Sequence, residues 1–260
     1  FLLISNISYG QLVTTIDFET ENSGYTVSST TGSGFTDVFN RSNSSLTNVT
    51  NQDGYFWAVE DFPDGFTNPY LTLNQINVSG ATSFTFSIDM TSHHYNDWDT
   101  SDELLITYSV DGGTYQNLMW VQSTEDGTDF NEPAALDIDF DGTGDCSTEN
   151  TLPALTPGSG GGGCVVSSSN FKRFITNSIS LSSNTTLDIK LQFNGFTAGD
   201  EGIYIDNIII TESAPSVITW TGSSNSDWAT AGNWDSGVPS SSDNVTVPEV
   251  ANAPIISGST

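Results

Sequence analysis

Apolar and polar residues alternate strictly in several parts of this chain, and that alternation limits what it can become. Phe84, Phe86, Ile88 and Met90 fall on one side of an extended segment, with Thr85, Ser87 and Asp89 on the other. Leu104, Ile106, Tyr108 and Val110 repeat the pattern. Leu187, Ile189, Leu191 and Phe193 do so again, against Asp188, Lys190 and Gln192. A period of two puts alternate side chains on opposite faces of a strand, and no window carries a helical period. Residues 12–20 predict a first strand, with Ile16 and Phe18 inward and Asp17 and Glu19 outward. Further strands are expected over 55–59, 71–78, 115–121 and 174–181, with Asp111-Gly112-Gly113 as a hairpin turn. Residues 203–210 are almost wholly apolar, as in a central strand buried on both faces. Residues 22–54 are rich in Ser, Thr, Gly and Asn, with Phe35, Val38 and Phe39 as scattered anchors. Short strands with Gly-rich turns predict an all-β protein, an antiparallel two-sheet sandwich of jelly-roll type.

Charge sets the second constraint. The 260 residues hold 32 acidic side chains but only four basic ones, Arg41, Lys172, Arg173 and Lys190, for a formal net charge of −28. Such a surface is soluble, attracts divalent cations and repels phosphate backbones, so nucleic acid is not an expected partner. No stretch of eighteen apolar residues is present, so membrane insertion is not expected either. With 15 Phe, 8 Tyr and 6 Trp the chain has the material for a core.

The acidic residues gather in Asp137-Ile138-Asp139-Phe140-Asp141-Gly142-Thr143-Gly144-Asp145. Calcium takes six to eight oxygen ligands, and loops supply them from alternating carboxylates with Gly at the bend. Asp137, Asp139, Asp141 and Asp145 are therefore the expected Ca²⁺ ligands, the alternative being an acidic surface loop without metal. The spacing resembles the calcium loops of EF-hand, dockerin and thrombospondin type-3 repeats. It departs from the EF-hand because Thr148, not Glu, stands at loop position twelve and no helix flanks it.

Cys146 and Cys164, the only cysteines, predict one disulfide around the Gly160–Gly163 run, worth about 3 kcal/mol by loop-closure entropy. Residues 1–10 read as the remnant of a signal peptide cleaved before Gln11, resembling those of Bacteroidota; a short first strand is the alternative. Both features suit a secreted or cell-surface protein. The organisation expected is a jelly roll over 11–212, a linker over 213–219, and the start of a second, incomplete β module over 220–260.

Residues 98–113, the acidic loop and residues 203–210 together resemble a jelly-roll module of secreted bacterial multidomain proteins, over roughly residues 12–212. The ends are also similar to β-sandwich carbohydrate-binding modules, where an early "Phe-Glu" and a late "Tyr-x-Asp" hold a structural Ca²⁺. The resemblance implies Glu19 and Asp206 for that role. Asp206 lies within an apolar strand, where a carboxylate needs a cation or backbone donors. Trp220, Trp228 and Trp234, followed by a G-x-P and a D-x-V-x-V-P segment, resemble the opening of Trp-rich repeat modules in adhesin-like bacterial proteins. They serve there as core, or alternatively as a sugar platform.

The function expected is a non-catalytic, calcium-stabilised module for adhesion or for binding a glycan or cell-surface polysaccharide, working with other domains of a longer chain. Candidate sugar contacts are Tyr95 and Trp98 with Asp97 and Asp99, aromatic faces stacking on sugar CH groups while carboxylates take hydroxyls. Trp120 is a further aromatic candidate, with core as its alternative. The competing readings are a polysaccharide-degrading hydrolase and a purely structural spacer. No nucleophile elbow, H-E-x-x-H or phosphate loop is present.

Overall fold

The computed structural model describes residues 13–30, 37–43, 54–62, 66, 68–93, 98–124, 133–145, 166, 170–199, 201–213, 217–239 and 243–255. The first strands are β1 (Val13–Ile16), β2 (Tyr25–Val27), β3 (Val38–Ser42), β4 (Phe56–Glu60), β5 (Tyr70–Leu73) and β6 (Ile76–Asn77). They are followed by β7 (Ser83–His93), β8 (Glu103–Val110), β9 (Gln116–Ser123), β10 (Ala134–Asp137), β11 (Lys172–Ile175) and β12 (Ile179–Ser180). The last are β13 (Thr186–Asn194), β14 (Gly202–Ser213), β15 (Val217–Thr219) and β16 (Asn244–Thr246).

Two antiparallel sheets form the sandwich. One runs β11-β7-β14-β4-β3, with β1 on β14 and β12 on β7. The other runs β10-β9-β8-β13-β5-β2, with β6 on β13. The chain crosses between sheets repeatedly, as the jelly-roll expectation requires. Phe84, Phe86, Ile88, Met90, Leu104, Ile106, Leu187, Ile189, Leu191 and Phe193 all enter one core, as their alternation predicts. Leu118 is an extra residue in β9, because the β8–β9 register shifts between Ile106 and Thr107.

β14 shows why an almost wholly apolar strand still carries Asp206. Ile203 and Ile205 face the core, and so do Ile208 and Ile210, a change of phase that needs one additional residue. The register with β7 shifts between Asp206 and Ile209, and Asn207 takes a left-handed φ of 44°. This β-bulge resets the alternation and keeps Asp206 off the core side. Behind β14 the first sheet is buried on its outer face as well, where Val38, Phe56, Ala58 and Tyr204 form a small second cluster.

Two regions differ from expectation. The Ser/Thr-rich stretch holds two strands, β2 and β3, because Val38 and Phe39 pack on opposite faces of the first sheet. Strand β1 stops at Ile16, and Phe18, with φ 56°, turns the chain while its ring still meets Tyr25 and Trp57 in the core. Residues 1–10, Phe35 and both cysteines lie outside the described residues.

Residues 217–255 have their own small core of Ile218, Trp220 and Trp234, beside the parallel pair β15–β16. Trp234 meets Trp220 and Trp228 edge-on, at 4.9 and 4.6 Å between ring centroids. The Trp220 and Trp234 indoles donate to Asn252 O and Trp228 O, so both rings are spent on structure and not on a sugar platform. The fully buried Asn233 ties the intervening turn together through Ser224, Asn225 and Asp227.

Phe193, fully buried in the second sheet, gives the direct test of this core. Phe193→Ala is expected to cost about 3–5 kcal/mol in urea denaturation, whereas Tyr115→Ala, at a 45% exposed position, stays within about 0.5 kcal/mol.

Candidate functional site

Strand β10 delivers the acidic loop at an edge of the second sheet. Leu136 points inward, so Asp137 faces the opposite side, directly across from Trp120 of β9. The Asp137 carboxylate is buried and accepts the N–H groups of Asp141 at 3.2 Å and Gly142 at 2.9 Å. Phe140 (φ 61°) and Gly142 (φ 99°) supply the left-handed turns that aim those donors inward. Burial pushes the Asp137 carboxyl up, the loop's own N–H groups pull it back, and Asp141 pushes it up again. The loop then returns through Gly144 N–H on Ser123 O at 2.7 Å and Asp145 N–H on Leu136 O at 2.9 Å, while the Asp145 carboxylate accepts from Ile138 N–H.

Asp137, Asp139 and Asp145 each bring one oxygen within 4.8 Å of the others. Three hard carboxylates on a curled loop match the donor set of calcium, with backbone and water completing the coordination. Asp141 is placed differently from the other three acids of the loop. Its carboxylate turns back onto Thr143 N–H at 3.0 Å, a local Asx turn, and it is not among the three that converge.

Asp206 and Glu19 each have hydrogen-bond partners of their own. Asp206 accepts from Asn207 N–H at 2.7 Å, the backbone-donor alternative, and stands across from Asp89 on β7. Arg173 on β11 clasps Asp89 through two guanidinium nitrogens, so one cation serves a row of two carboxylates. Glu19 accepts the Tyr55 N–H at 2.7 Å, and Arg41 reaches the carbonyls of Phe18 and Glu19 while lying over the Tyr55 ring. Burial, then Asp89, Glu19 and Asp17, push the Asp206 carboxyl up to about 7 against the pull of the Asn207 N–H. Neither Glu19 nor Asp206 belongs to a group of three converging acids among the described residues.

A second convergence was not anticipated. Asp99, Asp102 and Glu201 bring their oxygens within 4.8 Å of one another, with Asp102 and Glu201 buried. Burial, then the neighbouring Glu201, push the Asp102 carboxyl up to about 8. A raised carboxyl beside a second acid resembles a general-acid pair, but at 1% exposure Asp102 does not reach a substrate. The D-x-D-x-x-D spacing of Asp97, Asp99 and Asp102 was visible in the sequence, whereas Glu201, a hundred residues away, was not. Trp98 is a further correction: its ring is fully buried edge-on to Phe196 at 5.1 Å, so it stacks no sugar. Its core position follows from the neighbouring turn, where Trp98 O accepts from Ser123 Oγ. Tyr95 and Asp97 lie outside the described residues.

Beside the acidic loop a cleft of about 230 Å³ opens between β9–β10 and the segment joining β11 to β12. Trp120 and Phe140 meet edge-on at 5.3 Å in its wall, with Met119 and Ile138 apolar and Asn117, Thr176 and Asn177 polar. Asp137 also lines it, so the acidic loop and the cleft share a residue.

No protein-family model and no curated protein matches the chain. Among solved structures it is similar to a cleaved adhesin domain of Lys-gingipain from Porphyromonas gingivalis, at 13% identity and TM-score 0.38, covering 79% of this chain and 99% of that one. It is similar to the C-terminal family 22 carbohydrate-binding module of Clostridium thermocellum Xyn10B, at 11% identity and TM-score 0.38, covering 79% and 94%. The xylan-binding module CBM15 follows at 15% identity and TM-score 0.34, covering 79% and 99%. The three are named as an adhesin domain, a carbohydrate-binding module and a xylan-binding module, and none exceeds 15% identity to this chain.

The raised Asp206 carboxyl predicts a pH dependence. Between pH 4 and about 7 the folded chain keeps a proton that the unfolded chain has released, so stability is greatest at the acid end and falls as pH rises through that window. In EDTA, urea midpoints should decline from pH 4 to 7, and Asp206→Asn should remove that part of the slope. An unchanged slope in the variant contradicts this account of Asp206.

Proposed function

We propose that this chain is a non-catalytic, calcium-stabilised extracellular module that binds neutral glycans, or adheres through them, as part of a larger secreted or cell-surface protein. One observation carries the reading. Trp120 stands directly across from Asp137, whose loop presents three converging carboxylates on one side and a Trp120–Phe140 wall on the other. Calcium on Asp137, Asp139 and Asp145 would fix the loop that holds Phe140 in the cleft. The aromatic wall offers faces for sugar CH groups, and Asn117, Thr176 and Asn177 offer donors and acceptors for hydroxyls. The net charge of −28 disfavours polyanionic saccharides and so favours neutral ones. Among the described residues no helix is long and apolar enough to cross a membrane.

Affinity electrophoresis in gels containing neutral polysaccharides, xylan and mixed-linkage glucan among them, tests the binding, with polyuronate gels as the charged control. Retardation is expected in a neutral gel, and Trp120→Ala should weaken it about tenfold or more while the melting temperature stays measurable. Absence of retardation in every neutral gel, or equal retardation of the variant, contradicts the glycan reading. Calcium is tested separately by melting. The midpoint should rise by several degrees over EDTA, and Asp139→Ala should remove most of the rise. Superimposable curves contradict the calcium part.

A further inference from the structure

Two turns close one end of the sandwich, and each is organised by its own acid. In the turn that enters β8, Asp102 Oδ2 accepts the Asp99 N–H at 2.8 Å, and the Asp102 N–H donates to Asp99 O at 3.0 Å. In the turn that enters β14, Glu201 Oε2 accepts the N–H groups of Thr197 at 2.7 Å and Ala198 at 2.9 Å. The turns meet so closely that a Cβ on Gly195 (φ 88°) would stand 2.3 Å from both Asp102 Oδ1 and Ser101 O. Only glycine lets the second turn lie across the first.

The contact brings like charges together out of water. Asp102 is 1% and Glu201 6% exposed, and Asp99 completes the group of three within 4.8 Å. The independent observation is Asp102 Oδ1, which is sealed from solvent and has no hydrogen-bond partner. The Phe196 N–H pulls weakly on this carboxyl but leaves that oxygen unpaired. A buried carboxylate oxygen without a donor beside a second buried carboxylate is unfavourable unless it takes up a proton or a cation joins the two. Arg173 is engaged on Asp89, Arg41 on the Phe18 and Glu19 carbonyls, and Lys190 on Gln192 and the Tyr70 ring.

We propose that Asp99, Asp102 and Glu201 bind a calcium ion that staples the turn before β8 to the turn before β14. Since β8 belongs to one sheet and β14 to the other, the ion ties the two sheets together at this end. The all-oxygen, all-carboxylate donor set selects a hard divalent cation over zinc or copper. The site is separate from the loop of Asp137, and it stands whether or not that loop binds metal.

The test uses the full chain, freed of metal with EDTA and exchanged into chelator-free buffer, in an Asp139→Asn/Asp145→Asn background that disables the acidic loop. Calorimetric titration with calcium should show binding at one remaining site per chain. Asp102→Asn and Glu201→Gln should each weaken that binding at least tenfold and remove the remaining calcium-dependent rise in melting temperature. In EDTA, Asp102→Asn should melt no lower than its parent, because the substitution relieves repulsion. The proposal is overturned if the background binds no calcium or if the two variants bind as tightly as their parent. It is also overturned if Asp102→Asn is destabilised equally in EDTA and calcium, since the carboxylate would then act only as a turn cap.

Discussion

Carboxylates withdrawn from water, in a chain with four basic residues, are the constraint to which the rest of this structure answers. Asp102, Asp137, Glu201 and Asp206 are all buried, and only the row containing Asp206 has an arginine near it. The chain meets the cost locally wherever backbone donors are available: the acidic loop folds around Asp137, the 197–201 turn around Glu201, and the bulge at Asn207 around Asp206. Each acid is thus a device for shaping a turn, and where two turns converge their acids are brought together out of water.

Those convergences sit where the sandwich most needs fixing. Hydrogen bonds hold strands together within a sheet, whereas the two sheets meet through side-chain packing and through the connections that cross between them. The Asp99–Asp102–Glu201 group lies at one such pair of entries, into β8 and β14. The Asp137 loop follows β10, the last strand of the second sheet's order among the described residues. A cation at either place would add a cross-link that the hydrophobic core cannot supply.

Much of the fold was legible because period-two alternation is a direct imprint of a two-faced sheet, and the alternating segments entered the core as their pattern required. The strands within the Ser/Thr-rich region were not legible, since Val38 and Phe39 are buried on opposite faces and adjacent apolar residues leave no period. The bulge in β14 was hidden for a related reason: in an almost wholly apolar run a change of phase alters no pattern. The acidic loop was legible as a cluster, but not the Asx turn by which Asp141 accepts the Thr143 N–H, since that is set by backbone geometry. Trp98 was misread because its polar neighbours suggested exposure, whereas those neighbours form a turn that tucks the indole beneath Phe196. Glu201 could not be paired with Asp102 from sequence, since only the crossing of β13 and β14 between sheets brings them together.

The proposed binding role draws on the same logic as the stability, because Asp137 belongs both to a convergence of acids and to the wall of an aromatic cleft. The most direct test of the central claim is anomalous diffraction from crystals grown in calcium, with data collected at a wavelength where calcium scatters anomalously. The account predicts peaks within coordination distance of Asp137, Asp139 and Asp145, and of Asp99, Asp102 and Glu201. Well-ordered carboxylates at both places, with water alone between them, would contradict it.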